Sequence, residues 1–188
     1  MNWPIIFYTS SILMVMSPEE ILHIAYEELV EIEPTTSIPE LCLMDRVYPP
    51  MVPLDIVKIP LYAALLLKKS NMCKIRLPLY LQLENLKATV DTEVEKVDEY
   101  SHIHPYFFPL AKELLECCYN TENIEESKVM VEKIREIRLA KTLKGIKCLD
   151  GRALNMNNIT LFEFNEVKEL IIGSTEVGRK IESLSKGQ

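Results

Sequence analysis

Few residues of this 188-residue chain have the types and spacing that chemistry needs. His102 and His104 form a close pair, but no cluster of Cys or Glu stands beside them at the spacing of metal ligands. Asp91, Glu93 and Glu95 resemble paired carboxylates, yet they lie in a helical pattern rich in charge, where a solvated face is the expected role. We therefore expect no metal site and no acid–base pair here.

The cysteines and the sequence motifs indicate the same. No CxxC occurs among the five cysteines, and Cys117 and Cys118 fall in an apolar helix pattern, where free cysteine packs as a small hydrophobe. An odd, scattered set of cysteines indicates reduced thiols in an intracellular protein. No P-loop, GxGxxG, GxSxG or HExxH motif is present. The sequence predicts a protein that is not an enzyme and holds no cofactor.

The main charge feature is a basic stretch at residues 128–147. The net charge is −7, but residues 1–60 carry nine acids against two bases, and residues 127–152 carry eight bases against three acids. Three interpretations stay open: stabilisation of the helix dipole, pairing with acids on a partner or on residues 17–60, and direct DNA contact. No aromatic residues alternate with these charges, which disfavours stacking on nucleic acid bases. The charge is most concentrated at Arg135, Arg138, Lys141, Lys144 and Lys147.

Residues 1–15 differ from everything that follows, because they are apolar and carry no charge. A secretory signal needs a positive start and a small-residue cleavage site, and a membrane span needs about 20 apolar residues. Residues 1–15 match neither the signal-peptide pattern nor the membrane-span pattern. We interpret the segment as an extension without structure of its own, upstream of a start at Met14 or Met16, and we expect no membrane segment.

Residues 16–59 predict a small β-rich domain that opens with a short helix. Serine and proline at 17–18 occupy the N-cap and the first helical position, which favours a helix start. The segments 29–33, 41–44 and 55–59 have the composition of short strands, and prolines separate them. So small a region buries too little surface to be secure alone, so we expect its sheet to lean on the helical part or on another chain.

Residues 60–180 predict a helical domain, followed by a tail at 181–188. The domain opens with a helix at 60–69 that is apolar nearly all round, so we expect it to be buried as a hinge between two bodies. Long helical patterns follow at 79–100, from 105, at 122–147 and from 158. The predicted fold class is mainly α with a small N-terminal β-rich domain (α+β overall) and a C-terminal helical bundle.

The pattern at 122–147 is apolar on more than one side of the helix. Such a helix is either central in its own bundle or shared with a second subunit, and we expect basic residues to flank the contact. Our candidates for a subunit or domain interface come from this helix and from the hinge helix. They are Tyr62, Leu65, Leu66, Ile134, Arg135, Ile137, Arg138, Leu139 and Lys141.

Six blocks of the sequence follow one another at residues 28–34, 57–68, 73–78, 105–107 with 110–115, 137–141 and 158–163. In this order they resemble the PSF-two family of subunits of GINS, the eukaryotic replication complex. Single blocks are weak signals, whereas a full series in one order is a strong one. Tyr62 stands where the family block carries Trp, and residues 1–15 have no counterpart.

The resemblance implies a nuclear protein that assembles with three sister subunits into the GINS heterotetramer. It further implies that this complex joins the Mcm ring and the Cdc-forty-five protein to form the active replicative helicase. ATP is hydrolysed on the Mcm ring in that arrangement, so this subunit is non-catalytic. Direct DNA contact stays open on the charges alone, as a weak interaction. The residues alone leave one alternative, a stand-alone helical adaptor or DNA-binding protein that uses the basic helix 128–147.

Overall fold

The computed structural model describes residues 16–44, 46–118, 123–147 and 156–185. Helices dominate, and a small antiparallel sheet lies in the N-terminal part, as predicted. The predicted extension at 1–15 lies outside the described residues. In chain order the elements are α1 Pro18–Ala25, β1 Leu29–Pro34, β2 Leu41–Cys42, β3 Val47–Tyr48, β4 Val57–Pro60, α2 Leu61–Lys69, β5 Cys73–Ile75, a 3-10 turn Leu79–Leu81, α3 Leu83–Glu95, α4 Phe107–Cys117, α5 Ile124–Lys147 and α6 Leu161–Ser185.

Helix α1 begins where the sequence predicts. The Ser17 hydroxyl accepts a hydrogen bond from the Glu20 backbone N–H at 3.2 Å, and the Glu20 carboxylate accepts one from the Ser17 N–H at 2.6 Å. This reciprocal capping box satisfies two backbone donors that a helix start would otherwise leave without partners. Ile21 and Ala25 form the buried face, so a short helix is held by its cap and by packing.

Strand β1 is the centre of the main sheet, which has the order β4-β1-β5. Both pairings are antiparallel, and Ile32 lies opposite Val57 on one side and opposite Ile75 on the other. Strand β5 was not predicted, and it lies beyond residue 59, where we placed the end of the β-rich domain. The sheet therefore draws its third strand from the region predicted as helical.

The predicted strand at 41–44 is shorter than expected, because β2 comprises Leu41–Cys42 and pairs only with β3. The predicted strand at 55–59 starts two residues later, as β4. Ile38 and Met51 form a bridge at the base of this hairpin, and both side chains are buried. The hairpin is thus attached to the core at its base.

Helix α2 is the predicted hinge helix, and it is buried on one side only. Leu61, Ala63 and Ala64 are buried against the strands of the main sheet. Leu66 on the other side is 62% exposed, so the expectation of burial all round is wrong there. The apolar composition exceeds what one contact face of a helix can cover.

Helices α3 to α5 share a single hydrophobic core with the sheet, which extends from Val30 in β1 to Ile134 in α5. The predicted helix at 79–100 is divided into the 3-10 turn and α3, and Leu79 lies outside the core at 72% exposure. Helix α6 continues to Ser185, past the predicted end at residue 180. None of the helices in the described part of the chain has the length and hydropathy of a membrane span.

Candidate functional site

The most elaborate polar arrangement surrounds Arg138, which lies on α5 and is fully buried. Its Nε donates to Glu163 Oε1 at 2.6 Å, and its Nη2 donates to Glu163 Oε2 at 2.9 Å. Its Nη1 donates to Glu93 Oε1 at 2.5 Å. The guanidinium is therefore bidentate to one carboxylate and bonded to a second, an arrangement that Arg geometry favours.

Backbone carbonyls receive the remaining donors of Arg138. Nη1 also donates to the Ser101 carbonyl at 3.1 Å, and Nη2 donates to the Asn158 carbonyl at 2.7 Å. A guanidinium has five N–H donors, and five hydrogen bonds are formed. The Tyr100 ring centroid lies 5.0 Å from Cζ, and the Tyr100 hydroxyl is 2.9 Å from Thr142 Oγ1. The buried charge is thus fully paired.

Glu93 on α3 is the second fully buried member. Its Oε1 accepts hydrogen bonds from the Ser101 N–H at 3.0 Å and hydroxyl at 2.6 Å, and its Oε2 accepts one from Lys141. Burial raises the pKa of Glu93, but hydrogen bonds from Lys141, Ser101 and Arg138 outweigh burial, and the pKa lies below its usual value. The expectation that Glu93 lies on a solvated face is therefore wrong, because two cations lie opposite it.

Glu163 has a second role at the start of α6. Its Oε2 accepts hydrogen bonds from the Thr160 N–H at 2.9 Å and hydroxyl at 2.8 Å, and the Thr160 hydroxyl accepts from the Glu163 N–H at 3.3 Å. This is the Thr-x-x-Glu form of the capping box. The same carboxylate thus caps α6 and holds Arg138, which fixes the start of α6 against α5.

We name Glu93, Arg138, Lys141 and Glu163 the buried ion cluster. It holds two acids and two bases, so its formal charge is zero, and it joins α3, α5 and α6. Both carboxylates are saturated with donors, which leaves neither free to act as a general base. Within the described ranges, no three Cys, His, Asp or Glu side chains group together as metal ligands. The chemistry of this cluster is structural.

The structure corrects the prediction for the basic stretch. Besides Arg138 and Lys141, Arg135 pairs with Glu166 of α6, and Lys144 lies 2.9 Å from Asp98. Among the described residues, the acids that pair with this stretch come from α3, from the segment after α3, from α5 itself and from α6, and none comes from 17–44 or 46–60. Most of the positive charge of this stretch is therefore paired with acids of the same chain.

The predicted interface residues of α5 range from fully buried to exposed. Ile134 and Arg138 are fully buried inside the chain, so Arg138 does not flank an outward contact as expected. Lys141 is largely buried by its bond to Glu93, and Arg135 and Ile137 are partly buried. Leu139 is the most exposed of the α5 candidates, at 40%.

Leu139 belongs to an apolar strip that is exposed in the described part of the chain. Leu143, one turn further on, is 38% exposed, and Ala140 beside them is exposed too. Residues four apart lie on one face of a helix, so these three side chains form a continuous patch. Glu132 and Glu136 are exposed at its N-terminal end. We name Leu139, Ala140, Leu143 and these two acids the outer face of α5.

The candidates on α2 lie elsewhere on the molecule. Tyr62 and Leu65 are partly buried and pack against the main core, whereas Leu66 points to solvent. The structure therefore places Tyr62 and Leu65 against the same hydrophobic core that contains Ile134 and that Ile137 packs against. Tyr62 and Leu65 contribute to the chain's own fold, whereas Leu66 and Leu139 are exposed.

The family models divide the chain into two parts. Residues 17–76 match the model described as the PSF2 N-terminal domain. Residues 80–182 match the model described as the GINS complex protein helical bundle domain. The first range includes β5, in agreement with the three-stranded sheet.

Curated relatives cover nearly the whole chain. A protein of Encephalitozoon cuniculi named "Probable DNA replication complex GINS protein PSF2" is 80% identical over 93% of this chain and 100% of its own length. A Candida albicans protein named "DNA replication complex GINS protein PSF2" is 30% identical over 84% of this chain and 78% of its own. A Schizosaccharomyces pombe protein of the same name is 29% identical over 90% of this chain and 93% of its own.

Proposed function

The chain belongs to the PSF2 family of GINS complex proteins, and we propose that it is a non-catalytic subunit of a GINS heterotetramer that acts in nuclear DNA replication. Its direct partners are three sister subunits. Through the assembled complex it joins the Mcm ring and the Cdc-forty-five protein, as a structural and activating component of the replicative helicase.

The observation that carries this proposal is the outer face of α5. The buried ion cluster holds α5 firmly, while the opposite side of the same helix presents Leu139, Ala140 and Leu143 to solvent. Two leucines with a small residue between them suit close packing against another helix. Glu132 and Glu136 favour a partner helix with basic residues at the matching end, which gives specificity.

The buried ion cluster supports a non-catalytic role. Arg138 and both carboxylates form hydrogen bonds with each other and with backbone groups, so these groups are not available to bind a substrate. The arrangement fixes three helices in one geometry, and an assembly subunit needs such a rigid surface because ordering on binding lowers affinity.

The alternative function as a DNA-binding protein has less support. Phosphate contacts need Lys and Arg side chains that are available to solvent. In this helix Arg138 is fully buried, Lys141 bonds Glu93, and Arg135 bonds Glu166. The positive charge that suggested DNA contact is therefore mostly committed to acids of the same chain.

Co-expression with the three sister subunits tests the proposal. We expect a single complex whose native mass equals one copy of each subunit, stable through size-exclusion chromatography. A chain that purifies alone as a stable monomer and does not associate with the sister subunits would contradict the proposal. A gel shift of the monomer with duplex DNA would then favour the alternative.

A further inference from the structure

A second apolar surface lies far along the chain from α5, in the turn that leads from the hairpin into β4. Val52, Leu54 and Ile56 are each more than half exposed, and Leu54 reaches 79%. The Asp55 N–H donates to the Val52 carbonyl at 3.3 Å, which closes the turn. We name this segment the 52–56 turn.

Leu54 has a backbone conformation that leucine rarely adopts. Its φ is +74°, in the left-handed region where a Cβ atom crowds the following carbonyl. The other non-glycine residues with positive φ in the described part of the chain are Asn71, Asn123 and Asn158, and asparagine tolerates this region well. At 79% exposure the Leu54 side chain buries little surface against the described residues, so packing of the leucine does not offset the backbone strain. Residues held in this way concentrate at functional contacts.

The 52–56 turn is also rigid. Pro53 fixes one φ angle, and the Leu54 N–H donates to the Pro34 carbonyl at the end of β1, at 3.2 Å. The backbone that carries the Leu54 side chain is therefore held in place before any partner arrives. Such preorganisation lowers the entropy lost on binding and favours a docking role.

Charge indicates the chemistry of the partner. Residues 17–76, which include all five strands, carry nine acids against six bases, and Lys58 lies 3.5 Å from Glu31. Asp55 lies within the turn itself. This negative field attracts a basic surface and repels an acidic one.

From these observations we propose that the 52–56 turn docks into an apolar pocket on a basic protein surface, with Leu54 as the anchor. The proposal goes beyond assembly through α5, because it assigns a second contact on the β-rich part of the chain. It rests on the proposed function only for the choice of binding probes, which are the Mcm ring and the Cdc-forty-five protein.

The test uses the four-subunit complex with Leu54→Asn, a residue that suits the positive φ. Leu79→Asn is the matched control, because Leu79 is similarly exposed, at 72%, but lies outside this turn. We expect Leu54→Asn to weaken binding of one of the two purified probes at least about tenfold, as loss of an interface anchor does. The melting temperature of the complex should stay unchanged or rise, and wild-type binding should weaken with added salt.

Four results would overturn the proposal: wild-type affinity of the Leu54→Asn complex for both probes, an equal loss for Leu79→Asn, no binding of either probe by the wild-type complex, or binding that is insensitive to salt. If Leu54→Asn lowers the melting temperature, Leu54→Gly replaces it, because glycine adopts positive φ freely. The native mass of the wild-type complex is measured first. Failure to assemble, or absence of binding to both probes by the wild-type complex, also counts against the proposed function. The other three results count against the docking surface alone.

Discussion

Arg138→Met is the perturbation that tests the buried ion cluster most sharply. Methionine keeps much of the length and packing of the side chain but removes the charge and all five hydrogen bonds. We expect the free energy of unfolding of the full chain to fall by about 3–5 kcal/mol, the usual effect of removing one partner from a buried ion pair. Total stabilities of small proteins are about 5–15 kcal/mol, so the variant should lie close to unfolding.

The magnitude follows from the charges that remain. Without Arg138, Lys141 is the one cation that remains in the cluster beside two carboxylates. The formal charge of the cluster therefore changes from zero to −1 inside the core. Each carboxylate retains other donors, Ser101 for one and Thr160 for the other. These neutral donors moderate the loss but do not replace a cation.

Urea denaturation followed by far-ultraviolet circular dichroism measures the change, because helices dominate the fold. Arg135→Gln is the control, since Arg135 forms a more exposed ion pair on the same helix and should contribute at most about 1 kcal/mol. Adding Glu163→Gln alone to Arg138→Met leaves Glu93 paired with Lys141 and returns the formal charge of the cluster to zero, so it should restore part of the stability if charge is the cause. A loss for Arg138→Met no larger than that of the control would refute this reasoning.

Two further predictions concern acid stability and the hinge helix. Because the pKa of Glu93 is lowered in the folded chain, its ionisation stabilises the fold above the usual pKa of 4.5, and this stabilisation is lost as the pH falls through the lowered value. Urea titrations from pH 7 to pH 3 should therefore show that the difference in the free energy of unfolding between wild type and Glu93→Gln becomes smaller. A difference that stays constant with pH would contradict the lowered pKa. Leu66→Asp should change the free energy of unfolding of the full chain by no more than about 0.5 kcal/mol, whereas Leu61→Asp places a charge in the core and should unfold it; equal losses measured by urea denaturation would show that Leu66 is buried in solution.

Local signals predicted local structure well. The start of α1 could be predicted because Ser17, Pro18 and Glu20 form the cap within a few residues of each other. Strand β1 could be predicted because its buried residues alternate. Both features depend on short-range sequence patterns, and neither needs knowledge of what packs against the element.

Long-range pairing could not be predicted in the same way. Arg138 bonds Glu93 from 45 residues away, and a helical pattern does not tell which of its charged residues finds a buried partner. Glu163 did have a signal, the Thr-x-x-Glu spacing with Thr160, which indicates a capped helix start but not the bond to Arg138. The apolar composition of α2 led to the wrong prediction that the helix is buried all round, because composition does not show which side faces solvent.

The most direct test of the central claim is the native mass of the co-expressed complex that carries Leu139→Glu and Leu143→Glu together. Both side chains are partly exposed in the free chain, so the fold and its circular dichroism spectrum should be retained, as in the control Leu79→Glu. We predict that the double variant loses the four-subunit mass while the control retains it, because two buried charges disrupt an apolar helix contact. A double variant that assembles as fully as the control would contradict the claim that the outer face of α5 binds a sister subunit.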